Sequence, residues 1–283
     1  MEIRINEQKL DANLEKEKTI GQVLAALEQW ISDSGHILSG MRVDGISVTA
    51  SQIEEVFNRE IDSVKILEIE TNSLAQISAS CLVTLLDDIK QYESLDFQEK
   101  TKFFDNWKES ACAKFLFTEM SGLYKLCSSA FSSGEISIQT LSSITEERLR
   151  EVTEPLKEFT DIEPVLNQTC EKLIDLPLDI QTGKDIKAAQ TIQVFTALTE
   201  KILRIFYQLD TQGFFYADGE FEKEKLIQKI NGFTDVLKEL LDAYEKNDSV
   251  LVGDLAEYEA SVKIKELYTA ILESCANGDK NDQ

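Results

Sequence analysis

The stretch "KTIGQVLAALEQWISDSG", residues 18–35, lies between segments of alternating hydrophobicity, and its reading decides the fold class. Ile20, Val23, Leu24, Leu27 and Ile31 recur at steps of three and four, which marks one face of an α-helix. Thr19 is placed to cap that helix and Gly35 to end it. Upstream, "EIRI" alternates and puts Ile3 and Ile5 on one side of a strand. "NEQK" supplies a turn, and "LDANLE" resumes the alternation through Leu10, Ala12 and Leu14. Downstream, "MRVDGISVT" reads as a hairpin, because Asp44-Gly45 suits a tight turn with positive φ at both positions. "SQIEEVFNR" follows as a short helix. "VKILEIE" closes the segment as a strand with Val64 and Ile66 inward and Leu67 or Ile69 as further inward candidates.

The order strand, strand, helix, strand, strand, short helix, strand resembles the β-grasp fold of ubiquitin and the small sulfur-carrier proteins. The opening alternation, the "TIGQVLAAL" helix entry and the closing "VKILEIE" carry the resemblance, which spans residues 1–73. Carriers of this family act through a free C-terminal Gly-Gly whose carboxylate is activated. Here "TNSLAQ" follows the last strand, so activation or conjugation is not expected.

From Ser73 onward the period is helical. The pattern predicts helices over 74–93, 97–131, 145–175, 184–209, 220–246 and 254–275, and a frayed polar tail over 277–283. Two of them carry seams that face other helices: Ile192, Phe195, Leu198, Ile202, Ile205 and Leu209, then Leu226, Ile230, Phe233, Leu237, Leu240 and Tyr244. With only 3 Pro and 12 Gly in 283 residues, long helices are favoured over a many-stranded sandwich. The expected fold is α+β: a ubiquitin-like β-grasp domain over 1–73, then a mainly antiparallel helical bundle over 74–276.

A net charge of −23 and a pI near 4.4 exclude a surface built for phosphate backbones or anionic membranes. No apolar run approaches the roughly 18 residues of a membrane span, and "MEIRINEQKL" lacks the apolar core of a signal peptide. Cys81, Cys112, Cys127, Cys170 and Cys275 are an odd set without any C-x-x-C, which fits neither a disulfide framework nor a zinc site and points to a reducing cytosol. Cys81 lies in an apolar stripe with Leu74, Ile77, Leu85 and Ile89.

The segments able to carry chemistry are few. "LPLDIQTGKDIKAAQTI", residues 176–192, contains Gly183-Lys184 but no upstream glycine for a phosphate loop, and Asp185 stands where a magnesium-binding hydroxyl belongs. It reads as a helix entrance, with Pro177 stopping one helix, Thr182 capping the next and Asp185 in the first turn. His36, the sole histidine, falls at a helix-to-strand junction and reads as a loop residue, so a His-based triad or paired Glu-x-x-His site has no second imidazole. Asp254, Glu257 and Glu259 are an acidic cluster that could hold a hard cation, but Asp254 is better placed to complement a helix dipole, with Leu251, Leu255, Tyr258 and Val262 packing inward. Phe214, Phe215 and Tyr216 stand in a row between two helices. They are candidate protein-binding residues, or rings that close the bundle end.

"NDSVLVGDLAEYE", residues 247–259, with "LDIQTGKDIKAAQTIQVF", residues 178–195, is similar to a helical domain recurring in uncharacterised bacterial proteins. That resemblance implies a domain and no activity. The expected function is a non-catalytic bacterial cytoplasmic adaptor or scaffold that binds another protein, with no cofactor, no metal, no nucleic acid and no membrane. The alternatives are an enzyme with a carboxylate or divalent-metal site in the bundle, and an acidic decoy of a basic protein surface.

Overall fold

A computed structural model describes residues 1–11, 17–215, 220–246 and 248–276. It shows an α+β protein, a mixed five-stranded sheet followed by a helical region. The chain divides into two compact units, Met1–Thr145 and Glu146–Gln283.

The first unit opens with β1 (Glu2–Ile5) and β2 (Gln8–Leu10), then α1 (Ile20–Asp33), β3 (His36–Val43), β4 (Ile46–Ser47), α2 (Ile53–Phe57) and β5 (Ile66–Ser73). The strand order is β2-β1-β5-β3-β4, with β1 parallel to β5 and the other pairs antiparallel. Thr19 caps α1 by accepting from the Gln22 amide, and Gly35 ends it at φ 71. The Asp44-Gly45 turn has φ values of 50 and 82, and Asp44 Oδ1 accepts from the Lys65 and Ile66 amides, tying the hairpin to β5. Ile3, Ile20, Val23, Leu24, Ile31, Met41, Val43, Leu67 and Ile69 form the core between α1 and the sheet.

Three strand expectations are corrected. The first turn is Asn6-Glu7, at φ 48 and 69, so Gln8 and Lys9 belong to β2. Asn6 is held there by its side chain, which accepts from the Thr71 amide and donates to the Thr71 carbonyl. Leu67 and Ile69 are the inward residues of β5, with Thr71 after them, while Ile66 is only half-buried. His36 is the first residue of β3 rather than a loop residue, because β3 pairs with β5 from His36↔Ser73 onward. Ala12 and Leu14 lie outside the described residues.

The helices continue with α3 (Leu74–Ser94), α4 (Phe97–Trp107), α5 (Ala111–Glu119), α6 (Ser121–Ser128), α7 (Ile138–Thr153), α8 (Pro155–Thr160), α9 (Glu163–Gln181), α10 (Asp185–Thr211), α11 (Glu220–Glu245), α12 (Ser249–Asp254) and α13 (Ser261–Ala276). Wider π-helical turns at Ser129–Ser133 and Leu255–Ala260 extend α6 and join α12 to α13. The single helix expected over 97–131 is three, because Ser110 caps a new start at Ala111 and Met120 leaves helical geometry at φ −135, ψ 53. The helix expected over 145–175 is likewise broken. Pro155 disfavours helical backbone at Glu154, which sits at φ −134, ψ 53.

Pro177 does not stop a helix; it lies inside α9. A Cβ added at Gly253 would stand 3.0 Å from the Pro177 ring, so α9 and α12 approach backbone to backbone there. The last helical run starts at Ser249, capped by Asp248, and not at Asp254. Along it Val252, Ala256, Ala260, Ile264 and Tyr268 are buried, whereas Leu251, Tyr258 and Val262 are exposed, against expectation. In α11 it is Ala243 that is buried and Tyr244 that faces out, while the α10 seam packs as its spacing indicates. No helix among the described residues is long and apolar enough to cross a membrane.

Candidate functional site

The first unit has a largely apolar groove of about 410 Å³ between α1, β3 and α2. Its walls follow from local sequence. Gly21, Leu24, Ala25 and Glu28 come from one face of α1, and a Cβ at Gly21 would stand 3.1 Å from the Phe57 carbonyl oxygen, so the missing side chain lets α2 pack close against α1. The other wall is His36, Ile37 and Leu38 of β3. Ile37 and Leu38 are 48% and 44% exposed, so two large apolar side chains are open to solvent here.

The backbone beside this groove is also open. Among the described residues, β4 pairs only with Arg42 and Val43 of β3. On the side away from β5, no strand among the described residues pairs with residues 36–40 of β3. A bulge between Leu38 and Gly40 interrupts the β3–β5 register, and Ser39 Oγ donates to the Glu70 carbonyl at 3.1 Å, fixing the bulged residue. His36 Nδ1 lies 2.9 Å from the Ser34 carbonyl, which holds the ring at the groove's end. An unpaired strand edge next to an apolar trough can accept an extended chain, with backbone hydrogen bonds giving adhesion and the trough reading alternate side chains.

The residues singled out from sequence lie elsewhere. Phe214 and Phe215 are half-buried and pack on the core of the second unit, with the Phe215 ring 5.4 Å from Phe206; Tyr216 lies outside the described residues. Thr182 does not cap α10. It sits at the end of α9 and donates to the Leu178 carbonyl at 2.7 Å, while Gly183 turns the chain at φ 71. Lys184 and Lys187 both reach the buried Asp179 carboxylate, at 3.2 and 2.7 Å. Lys187 first and Lys184 second hold that carboxyl below its usual range, so the lysine of the Gly-Lys pair is committed to an internal ion pair. In the acidic segment, Glu259 pairs with Lys263 at 3.1 Å and Tyr258 is exposed. Among the described residues no three His, Cys, Asp or Glu side chains converge as a metal ion would need.

One arrangement in the second unit had no counterpart in the sequence reading. Glu151 of α7, 1% exposed, accepts two hydrogen bonds from Arg204 of α10, both at 3.0 Å, and two more from Arg148. In α8, Glu158 accepts from Arg150 and Lys201, and Lys201 also pairs with Glu147 at 2.7 Å. Burial pushes the Glu151 carboxyl up to about 7, against the pull of Arg148. The partners are separated by up to 53 positions, so no local spacing signals them.

Two family models match. Residues 1–73 match the TP0873 N-terminal domain, and residues 157–270 match the Domain of unknown function (DUF8042). No curated protein and no solved structure matches the chain. The groove lies within the first matched segment; Glu158, Lys201 and Arg204 lie within the second.

Proposed function

We propose that this is a bacterial, cytoplasmic, non-catalytic adaptor that binds an extended segment of another protein by strand addition to β3. The open edge at residues 36–40 beside the apolar groove supports this reading more than any other feature. The ligand is an extended peptide with apolar side chains at alternate positions and a basic residue to meet Glu28. The proposal takes the first 73 residues as a β-grasp domain, supported by the order β2-β1-β5-β3-β4 with α1 across one face. It takes the helices after them as a mainly antiparallel bundle. Five buried free thiols fit a reducing compartment.

The test is selection from a random-peptide display library on the full-length protein, followed by titration of the selected peptides. Replacing Ile37 and Leu38 together with Glu should weaken binding about tenfold or more, since each buried aliphatic contributes roughly 1.5–3 kcal/mol. Both side chains are exposed, so the thermal midpoint should stay close to that of the unchanged protein. Selected peptides that bind the double variant equally well would remove the groove from the proposal.

A further inference from the structure

Cys81 of α3 and Cys112 of α5 face each other with their Sγ atoms 3.1 Å apart. Each thiol also lies against the other residue's backbone carbonyl, at 3.4 and 3.6 Å. The sulfurs of a disulfide are about 2.0 Å apart, so closing the gap takes an approach of roughly 1 Å, within reach of side-chain rotation. The pair is not sealed. Both residues are 8% exposed and sit in the floor of an open cleft of about 640 Å³, edged by Gln76, Ser80, Thr84 and Phe115.

The other thiols differ. Cys127 and Cys170 are fully buried, and burial pushes the Cys127 thiol up to about 12 and the Cys275 thiol up to about 11. Cys81 alone is held below the usual thiol value, by its hydrogen bond with Cys112; the same contact, together with burial, pushes Cys112 up.

We propose that Cys81 and Cys112 form a reversible dithiol–disulfide site whose oxidants are small hydroperoxides entering the cleft between α3 and α5. The Cys81 sulfur attacks the peroxide oxygen and the O–O bond breaks. Cys81 becomes a sulfenic acid, and the alcohol, or water when the oxidant is hydrogen peroxide, leaves with the thiol's proton. The Cys112 sulfur then displaces the sulfenic hydroxyl, the S–S bond forms, and water departs with the Cys112 proton. Two electrons have passed from the thiols to the peroxide. Two equivalents of a small thiol reverse the step and leave as their own disulfide. The bond ties α3 to α5 across 31 positions of chain.

Hydrogen peroxide is the probe. The full-length protein is treated with it, quenched with an alkylating agent and mapped without reduction by mass spectrometry. The intact mass should fall by two hydrogens, a single Cys81–Cys112 cross-linked peptide should precede any change at Cys127, Cys170 or Cys275, and dithiothreitol should reverse it. In Cys112→Ser, Cys81 should accumulate as a sulfenic acid that a dimedone-type reagent captures; in Cys81→Ser, Cys112 should not label. Circular dichroism confirms that each variant is folded, and if one is not, mapping of the unchanged protein decides alone. Cys81 and Cys112 remaining reduced at a dose that oxidises Cys275, or cross-linking to other residues, would overturn the proposal.

Discussion

Glu151→Ala should lower the stability of the protein by about 3 kcal/mol, measured by chemical denaturation. Removing one partner of a buried ion pair costs about 3–5 kcal/mol, because the charge left behind is unpaired. The lower figure applies because Arg148 and Arg204 are 21% and 32% exposed and water can reach them. The pH dependence is more diagnostic. A carboxyl raised from 4.5 to about 7 binds its proton more tightly in the folded state. Its contribution, about 3 kcal/mol, is fully present below pH 4.5 and is lost as the pH rises through about 7. Measured against Glu151→Gln, which cannot titrate, the unchanged protein should therefore gain stability as the pH falls from 8 to about 5. A difference that stays flat across that interval would mean that Arg204 and Arg148 keep the carboxylate ionised throughout.

Phe131→Ala should be at least as damaging, at about 3–5 kcal/mol. Phe131 is 3% exposed and sits in the wide turns after α6. Its ring lies 4.9 Å from Tyr92, 5.3 Å from Phe103 and 5.1 Å from Trp107, and its carbonyl accepts from the Tyr92 hydroxyl. Deleting the ring empties the centre of a cluster drawn from three helices and removes edge-on contacts worth about 0.5–1.5 kcal/mol each. Trp107 is 4% exposed, so its fluorescence should shift to the red in the variant; Trp30, already half-exposed, should not contribute to the change. Phe97→Ala is the control. That ring is 86% exposed, and its loss should stay within about 0.5 kcal/mol. Equal losses at the two positions would show that the cluster adds nothing beyond surface area.

What could be read from sequence was whatever depends on neighbours along the chain. The capped helix at residues 20–33, the Asp44-Gly45 turn, the order of strands and helices through residue 73, and the α10 seam all follow from spacings of two, three and four. The inward face of β5 did not, because both Ile66 and Leu67 are apolar and only pairing with β1 and β3 places Leu67 under α1. The breaks at Ser110 and Met120 lie within an otherwise helical pattern and carry no proline. The groove is equally silent, since a strand edge is open only because β4 is two residues long and stops short of it. The Glu151 network joins charges from separate helices in a chain with 52 acidic residues, among which no pair stands out.

The wide turns at Leu255–Ala260 have a consequence for insertions and deletions. The buried residues Val252, Ala256, Ala260, Ile264 and Tyr268 are spaced by four throughout, and four residues turn a regular α-helix about 40° past a full circle. Over that run the inward face would drift by roughly 160°; turns that take in an extra residue cancel much of the drift. The segment thus holds one residue more than an ordinary helix needs. Deleting the exposed Tyr258 would change the spacing to four, three, four and four and let a regular ladder close with Ile264, Leu267 and Ile271 still facing the core. Deleting the exposed Glu266 would rotate everything after it by about 100° and turn Ile271 and Cys275 toward water. Of two single-codon losses in one helical run, the first should leave a folded protein and the second should not.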